Sequence, residues 1–169
     1  MADRIEFTVS ATPIETVTSE DGASTHDIIA GEIRQTVGGG GSCAVTDYQG
    51  TDAQQGFGGS AGAGVKTYRE AIDTTDATDI SADANARFVF IKNTGYEYST
   101  PTALGATLDA SVKVMSGTTL ISVLAAGEAI VLKDVNGGLV CTAIHVRTVT
   151  NAGANWTSGH MAVEFLVID

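Results

Sequence analysis

Residues 110–124 read ASVKVMSGTTLISVL, two short runs of strand-forming residues separated by Ser116-Gly117. In the first run Val112 and Val114 alternate with Lys113, the period of two that sends successive side chains to opposite faces of a strand. The second run, Thr119 to Leu124, is β-branched and apolar, and Ser-Gly between them tolerates the backbone of a tight reversal. The stretch predicts a β-hairpin. Outward from it stand Arg87 to Asn93 (RFVFIKN), Glu128 to Lys133 (EAIVLK), Val140 to Thr148 (VCTAIHVRT) and Met161 to Ile168 (MAVEFLVI). Six strands in about eighty residues is the spacing of a sandwich or barrel.

Turn chemistry punctuates these runs at Thr94-Gly95, Ala126-Gly127, Asn136-Gly137-Gly138 and Asn151 to Gly159. Asn136-Gly137 is the strongest signal, because a type I′ turn needs positive φ at both central residues. It predicts that the strands on either side of it pair. In the last run Val163 and Phe165 fall on one face and Glu164 on the other, as in a sheet with one face inward and one wet.

The first half gives weaker signals. Ile5 to Val9 alternates like a strand, Ile14 to Thr18 continues after Pro13, and Val65 to Ile72 (VKTYREAI) leans to strand. Asp27 to Val37 stays open between helix and strand. Ile28, Ile29 and Ile33 have helical spacing, while Gly31 and the β-branched content oppose it. Residues 38–64 hold ten glycines in 27 positions, too little side chain for a core of their own. The expectation is one all-β domain over residues 1–169, an antiparallel jelly-roll-like β-sandwich with 38–64 as a Gly-rich arm or insertion.

Composition narrows the function. A chain of 169 residues and 17.3 kDa suits one sizeable core. Nine Lys and Arg against 20 Asp and Glu give a net charge of −11, which removes general attraction to nucleic acid. The charge is uneven: residues 1–84 hold 14 acids and 4 bases, net −10, and residues 85–169 hold 6 acids and 5 bases, net −1. The apolar runs fall short of the ~18 residues of a membrane span. MADRIEFTVS carries charges where an export signal needs an apolar stretch, so the expectation is no signal peptide, a start in a cytoplasm, and Cys43 and Cys141 as thiols. On that footing Asn155-Trp156-Thr157 reads as a turn rather than a glycosylation acceptor.

Motifs were weighed against chemistry. Gly59 to Thr67 (GSAGAGVKT) has Val65 between the second glycine of a phosphate-loop pattern and Lys66, and no apolar strand precedes it. Cys43 after Gly38 to Ser42 (GGGGS), with His26, His145 or His160 as base, fits no nucleophile-elbow spacing. Cys141 and His145, four apart, would share a face if both lay on one strand, where Cys43 and His160 could complete a zinc site, but close paired ligands are lacking. Asp73, Asp76, Asp79 and Asp83 offer oxygens without the glycine turn and terminal glutamate of a calcium loop. Tyr96, Tyr98 and Trp156, read as loop residues, would form a glycan platform only if exposed together. No catalytic residue, cofactor-binding residue or metal ligand is therefore assigned, and the expectation is a protein that is not an enzyme, with no cofactor and no small-molecule substrate.

The segment from Phe88 to Leu132 carries FVFIKNTG, a Gly-Thr turn, ISVL and then AAGEAIVL. In this order of pieces it resembles the β-sandwich virion structural proteins of tailed bacteriophages, in which a buried strand ends in an Asn-Thr-Gly-like turn and a later Gly-Glu turn opens another. Gly127-Glu128 matches the second element. The resemblance implies a virion component assembled in the host cytoplasm, such as a capsid decoration or cement protein. Its partners would be the major capsid protein, copies of itself as a homotrimer, or both. A tail-tube subunit and a carbohydrate- or host-receptor-binding module are the alternatives.

Overall fold

In the computed structural model the described residues are 3–11, 14–18, 25–29, 37–45, 68–72, 78–79, 86–134 and 138–168. They form antiparallel β-structure with a single 3-10 turn, Cys141–Ala143, and no other helix among the described residues. By contact the chain divides into two compact units, Arg4–Ala44 and a larger unit of Met1–Asp3 with Val45–Asp169.

The smaller unit holds two ribbons. Strand β1 (Asp3–Ala11) lies beside β4 (Val37–Val45), and β2 (Ile14–Thr18) pairs antiparallel with β3 (Thr25–Ile29). Ile28 and Ile29 are thus in a strand, and residues 30–36 of the open segment lie outside the described residues. The Gly-rich stretch 38–64 opens as strand: residues 38–45 belong to β4, because ladder hydrogen bonds use only the backbone, and residues 46–64 lie outside the described residues.

In the larger unit β5 (Tyr68–Ala71), β6 (Thr78–Asp79), β7 (Phe88–Thr100), β8 (Ala103–Thr107), β9 (Ser111–Ser116), β10 (Thr119–Leu124), β11 (Ala129–Lys133), β12 (Ile144–Val149) and β13 (Met161–Ile168) make two sheets. The five-stranded sheet runs β11-β7-β13-β5 with β8 on β7, and the four-stranded sheet runs β10-β9-β12-β6. The register lays Leu132, Val89 and Val167 in one row and Ile130, Ile91 and Phe165 in the next. Val89, Ile91, Val163 and Val167 are fully buried, and Phe165 nearly so. In the other sheet Leu124, Val112 and Thr148 share a row, as do Ser122, Val114 and Val146. Both sets join one core cluster. Each fully buried Val, Ile or Phe contributes roughly 1.5–3 kcal/mol, so the alternating pattern fixes register strongly here.

The predicted hairpin forms: Thr119 faces Ser116 across Gly117, whose φ of 55° is the left-handed conformation glycine adopts without a steric penalty. Val163 and Phe165 are buried and Glu164 half-buried on the opposite face, as the alternation requires.

Two expectations fail. The strands flanking Asn136-Gly137 do not pair with each other: β11 pairs with β7, and β12 with β9 and β6. The chain crosses between sheets there, with Leu139 bridging Ala86, and residues 135–137 lie outside the described residues. A turn dipeptide favours a local reversal but does not choose the sheet that receives the next strand. Nor does Thr94-Gly95 end a strand. β7 continues through it to Thr100 by a bulge, since Met161 faces Glu97 and Val163 faces Asn93, so the strand opposite β13 carries extra residues.

Candidate functional site

Asn93 organises the most constrained polar structure of the larger unit. It sits on the inward face of β7 opposite Val163 and is fully buried. Its Nδ2 donates to Ala110 O at 3.2 Å and to Leu124 O at 3.0 Å, and its Oδ1 accepts from Gly95 N–H at 2.9 Å. The backbone joins in: Asn93 N–H donates to Glu128 O, and Gly127 N–H donates to Asn93 O. One side chain therefore locks the β7 bulge, the start of β9 and the end of β10.

Local sequence explains the geometry. Gly95 has φ 78°, and a Cβ there would stand 3.2 Å from the Ala126 Cβ, so both the conformation and the close approach favour glycine. The turn that meets it is closed by Glu128, whose Oε2 accepts from Ala125 N–H at 2.8 Å and whose own N–H donates to Ala125 O. Thr94 Oγ1 reaches across to Ala162 O at 2.7 Å and holds the bulge against β13.

Thr148 forms a second buried polar link. Its hydroxyl donates to Ala71 O at 2.6 Å and accepts from Met161 N–H at 2.8 Å, tying β12 to β5 and to β13 in the other sheet. Asn93 and Thr148 stand in strand patterns that read as apolar. Their inward register is the available signal, and Asn93 reads instead as the start of a turn.

A charged cluster lies at the β5 end of the five-stranded sheet. His160 Nδ1 stands 2.5 Å from Glu70 Oε1, and Tyr98 N–H donates to His160 O at 2.8 Å. Burial raises the Tyr98 phenol above its ordinary pKa, the Glu70 carboxylate adds to the rise, and Arg69 opposes it. Tyr98 therefore keeps its proton at neutral pH. Arg69 places its guanidinium 5.4 Å from the centre of the Phe165 ring. The His160–Glu70 contact ties β5 to the residue leading into β13.

The residues weighed for chemistry in the sequence are dispersed. Cys141 lies in the 3-10 turn and His145 on β12, so the two do not share a strand face. His145 faces Met115 and Asp79 across the ladder, and His160 stands by Glu70. Cys43 and His26 lie on β4 and β3 of the smaller unit. Asp79 is in β6, whereas Asp73, Asp76, Asp83 and Gly59 to Thr67 lie outside the described residues. No group of three or more His, Cys, Asp or Glu that could hold a metal ion occurs among the described residues.

The glycan expectation is corrected in part. Tyr96 and Tyr98 belong to strand β7, not to a loop, because the bulge at Gly95 lets the strand run on. Trp156 does lie in the loop between β12 and β13. It is half-buried, packs against the core and donates its Nε1–H to Ser158 O, so its ring anchors the loop. Asn155 bridges Val149 in the same loop.

The remaining feature is apolar. Leu120, Ile121 and Val123 of β10 are 51%, 37% and 40% exposed, on the edge of the four-stranded sheet. No family model matches the chain, and no curated protein or solved structure matches it either.

Proposed function

We propose that the chain is a non-enzymatic virion structural protein of a tailed bacteriophage, a capsid decoration (cement) protein that binds the head shell and stabilises it. In this reading the two sheets of the larger unit form an antiparallel, jelly-roll-like sandwich, and the protein works by assembly with the major capsid protein and with copies of itself.

The observation that carries the reading is the Asn93 junction. The two segments on which the phage resemblance rests, the Asn93-Thr94-Gly95 bulge inside β7 and the Ala126-Gly127-Glu128 turn, lie 30 or so residues apart in sequence but bond to each other around a buried amide. Their contact supports reading the two segments as one unit, the first being a bulge within β7 where the resemblance implies a strand-ending turn. Buried, fully bonded polar links such as Asn93 and Thr148 suit a part that bears load, since they specify one packing of the sheets.

The test is co-sedimentation of the purified protein with expanded, undecorated heads of the phage that encodes it. Saturable binding in fixed ratio to the shell subunits is the expected result, and heads that pellet without the protein contradict it. Tubes or stacked rings of the protein alone, seen by electron microscopy, would instead assign it to the tail tube. Quenching of Trp156 fluorescence by sugars would assign it to glycan recognition.

A further inference from the structure

The outer face of the β10-β9-β12 sheet differs in charge from the rest of the chain. Strands β9, β10 and β12 contain no acid, and their formally charged residues are Lys113 and Arg147, in a protein of net charge −11; the acid of this sheet is Asp79 on β6, opposite His145. Lys113 and Arg147 stand directly opposite each other across the β9–β12 ladder, a like-charge pairing that disfavours the sheet in isolation. Lys113 Nζ donates to Gly153 O at 2.8 Å, and Arg147 Nε, which is shielded from solvent, has no hydrogen-bond acceptor among the described residues. In the same row Val123 faces Lys113, and Leu120 faces Met115 in the next. The cations are thus continuous with the exposed apolar edge of β10.

That edge has few of the usual guards. β10 (TLISVL) has neither charge nor proline, and its one protection among the described residues is the bulge that leaves Ile121 unpaired between Leu120 and Ser122. Exposed apolar side chains on an open strand edge, backed by a pair of opposed cations, form a surface suited to an acidic protein partner.

We propose that this face docks a second copy of the same chain, the face of one copy receiving the acid-rich N-terminal half of the next. Charge complementarity selects the occupant. Residues 1–84 carry net −10, whereas residues 85–169 carry −1 with both cations of the face among them. Two copies of an acidic protein repel in general, and approach over β9, β10 and β12 meets no acid on those strands, Asp79 standing at the far edge of the sheet on β6. The contact is heterologous, head to tail, and closes into a ring when the rotation between copies allows it. This inference deepens the assembly reading above and rests on it.

The test is the mass of the full-length protein by light scattering from micromolar to millimolar concentration, in low salt and in 1 M salt, where the screening length falls to about 3 Å. The expected result is a mass above the 17.3 kDa of one chain that falls as salt rises. The variant Leu120→Glu, placed at a 51% exposed position, removes an apolar contact and sets an acid against the acidic partner, and should weaken association about tenfold or more while its circular dichroism is unchanged. The salt series uses the unaltered chain, so it stands even if the variant misfolds. A mass of one chain at every concentration overturns the proposal. A multimer indifferent to salt and to Leu120→Glu overturns this surface while leaving the assembly reading to the head-binding test.

Discussion

The centre of the five-stranded sheet and the edge of the four-stranded sheet are built from the same kinds of residue and put them to opposite use. On β7 and β13 the apolar side chains of Val89, Ile91, Val163 and Phe165 alternate inward and are sealed from water. On β10 Leu120 and Val123 stand on the outer face and are half exposed, with only Leu124 buried. Residue type alone does not separate a core strand from a docking edge. What separates them is the set of neighbours on both sides: among the described residues β7 has a hydrogen-bonded partner along each edge, and β10 has one, β9.

Substitutions can break this contrast. The largest expected effect is Asn93→Ala, which strips partners from two buried carbonyls and the Gly95 N–H. At ~1–3 kcal/mol for each buried group left unsatisfied, it should cost roughly 3–5 kcal/mol in urea unfolding. A loss below about 1 kcal/mol would mean the junction is held by packing alone. Next comes Thr148→Val, nearly isosteric, which leaves Ala71 O and Met161 N–H unbonded and should cost about 2–3 kcal/mol in the same measurement.

Gly95→Ala should cost about 1–2 kcal/mol, from a φ of 78° and the nearby Ala126 Cβ, and a neutral result would show that the bulge can shift. At the other pole, Val123→Thr on the exposed edge should change unfolding stability by no more than about 0.5 kcal/mol, since no buried surface is lost. A large loss there would place β10 in the core and dissolve the comparison.

The smallest effect concerns pH. Because burial raises the folded-state pKa of Tyr98 above 10.0, the folded protein holds that proton more tightly than the unfolded chain does. Its contribution is fully present below pH 10 and is lost as pH rises through the raised folded value. Thermal melts between pH 8 and 11 should therefore show wild type losing stability relative to Tyr98→Phe only at the alkaline end, and parallel curves would count against the shift.

Much of this architecture is legible in the sequence where two signals agree. Alternation and a Ser-Gly turn together locate the β9–β10 hairpin, and Val163, Glu164 and Phe165 announce their faces. Legibility fails where one signal acts alone. Gly95 reads as a turn, yet its positive φ serves a bulge inside a long strand, so Tyr96 and Tyr98 were assigned to a loop. Asn136-Gly137 predicts that its flanking strands pair, whereas β11 and β12 join different sheets. The Asn93 junction joins residues distant in sequence, and no local pattern encodes which carbonyls an amide will find. The edge position of β10 is likewise a property of strand order, which composition does not contain.

The central claim is that the β10 edge is built to be covered by another copy of the chain. Hydrogen exchange of the β10 amides, residues 119–124, followed as protein concentration is raised, tests it most directly. The account predicts fast exchange in dilute solution and growing protection at high concentration, with the β7 and β13 amides slow throughout. Exchange along β10 that is the same at every concentration would contradict it.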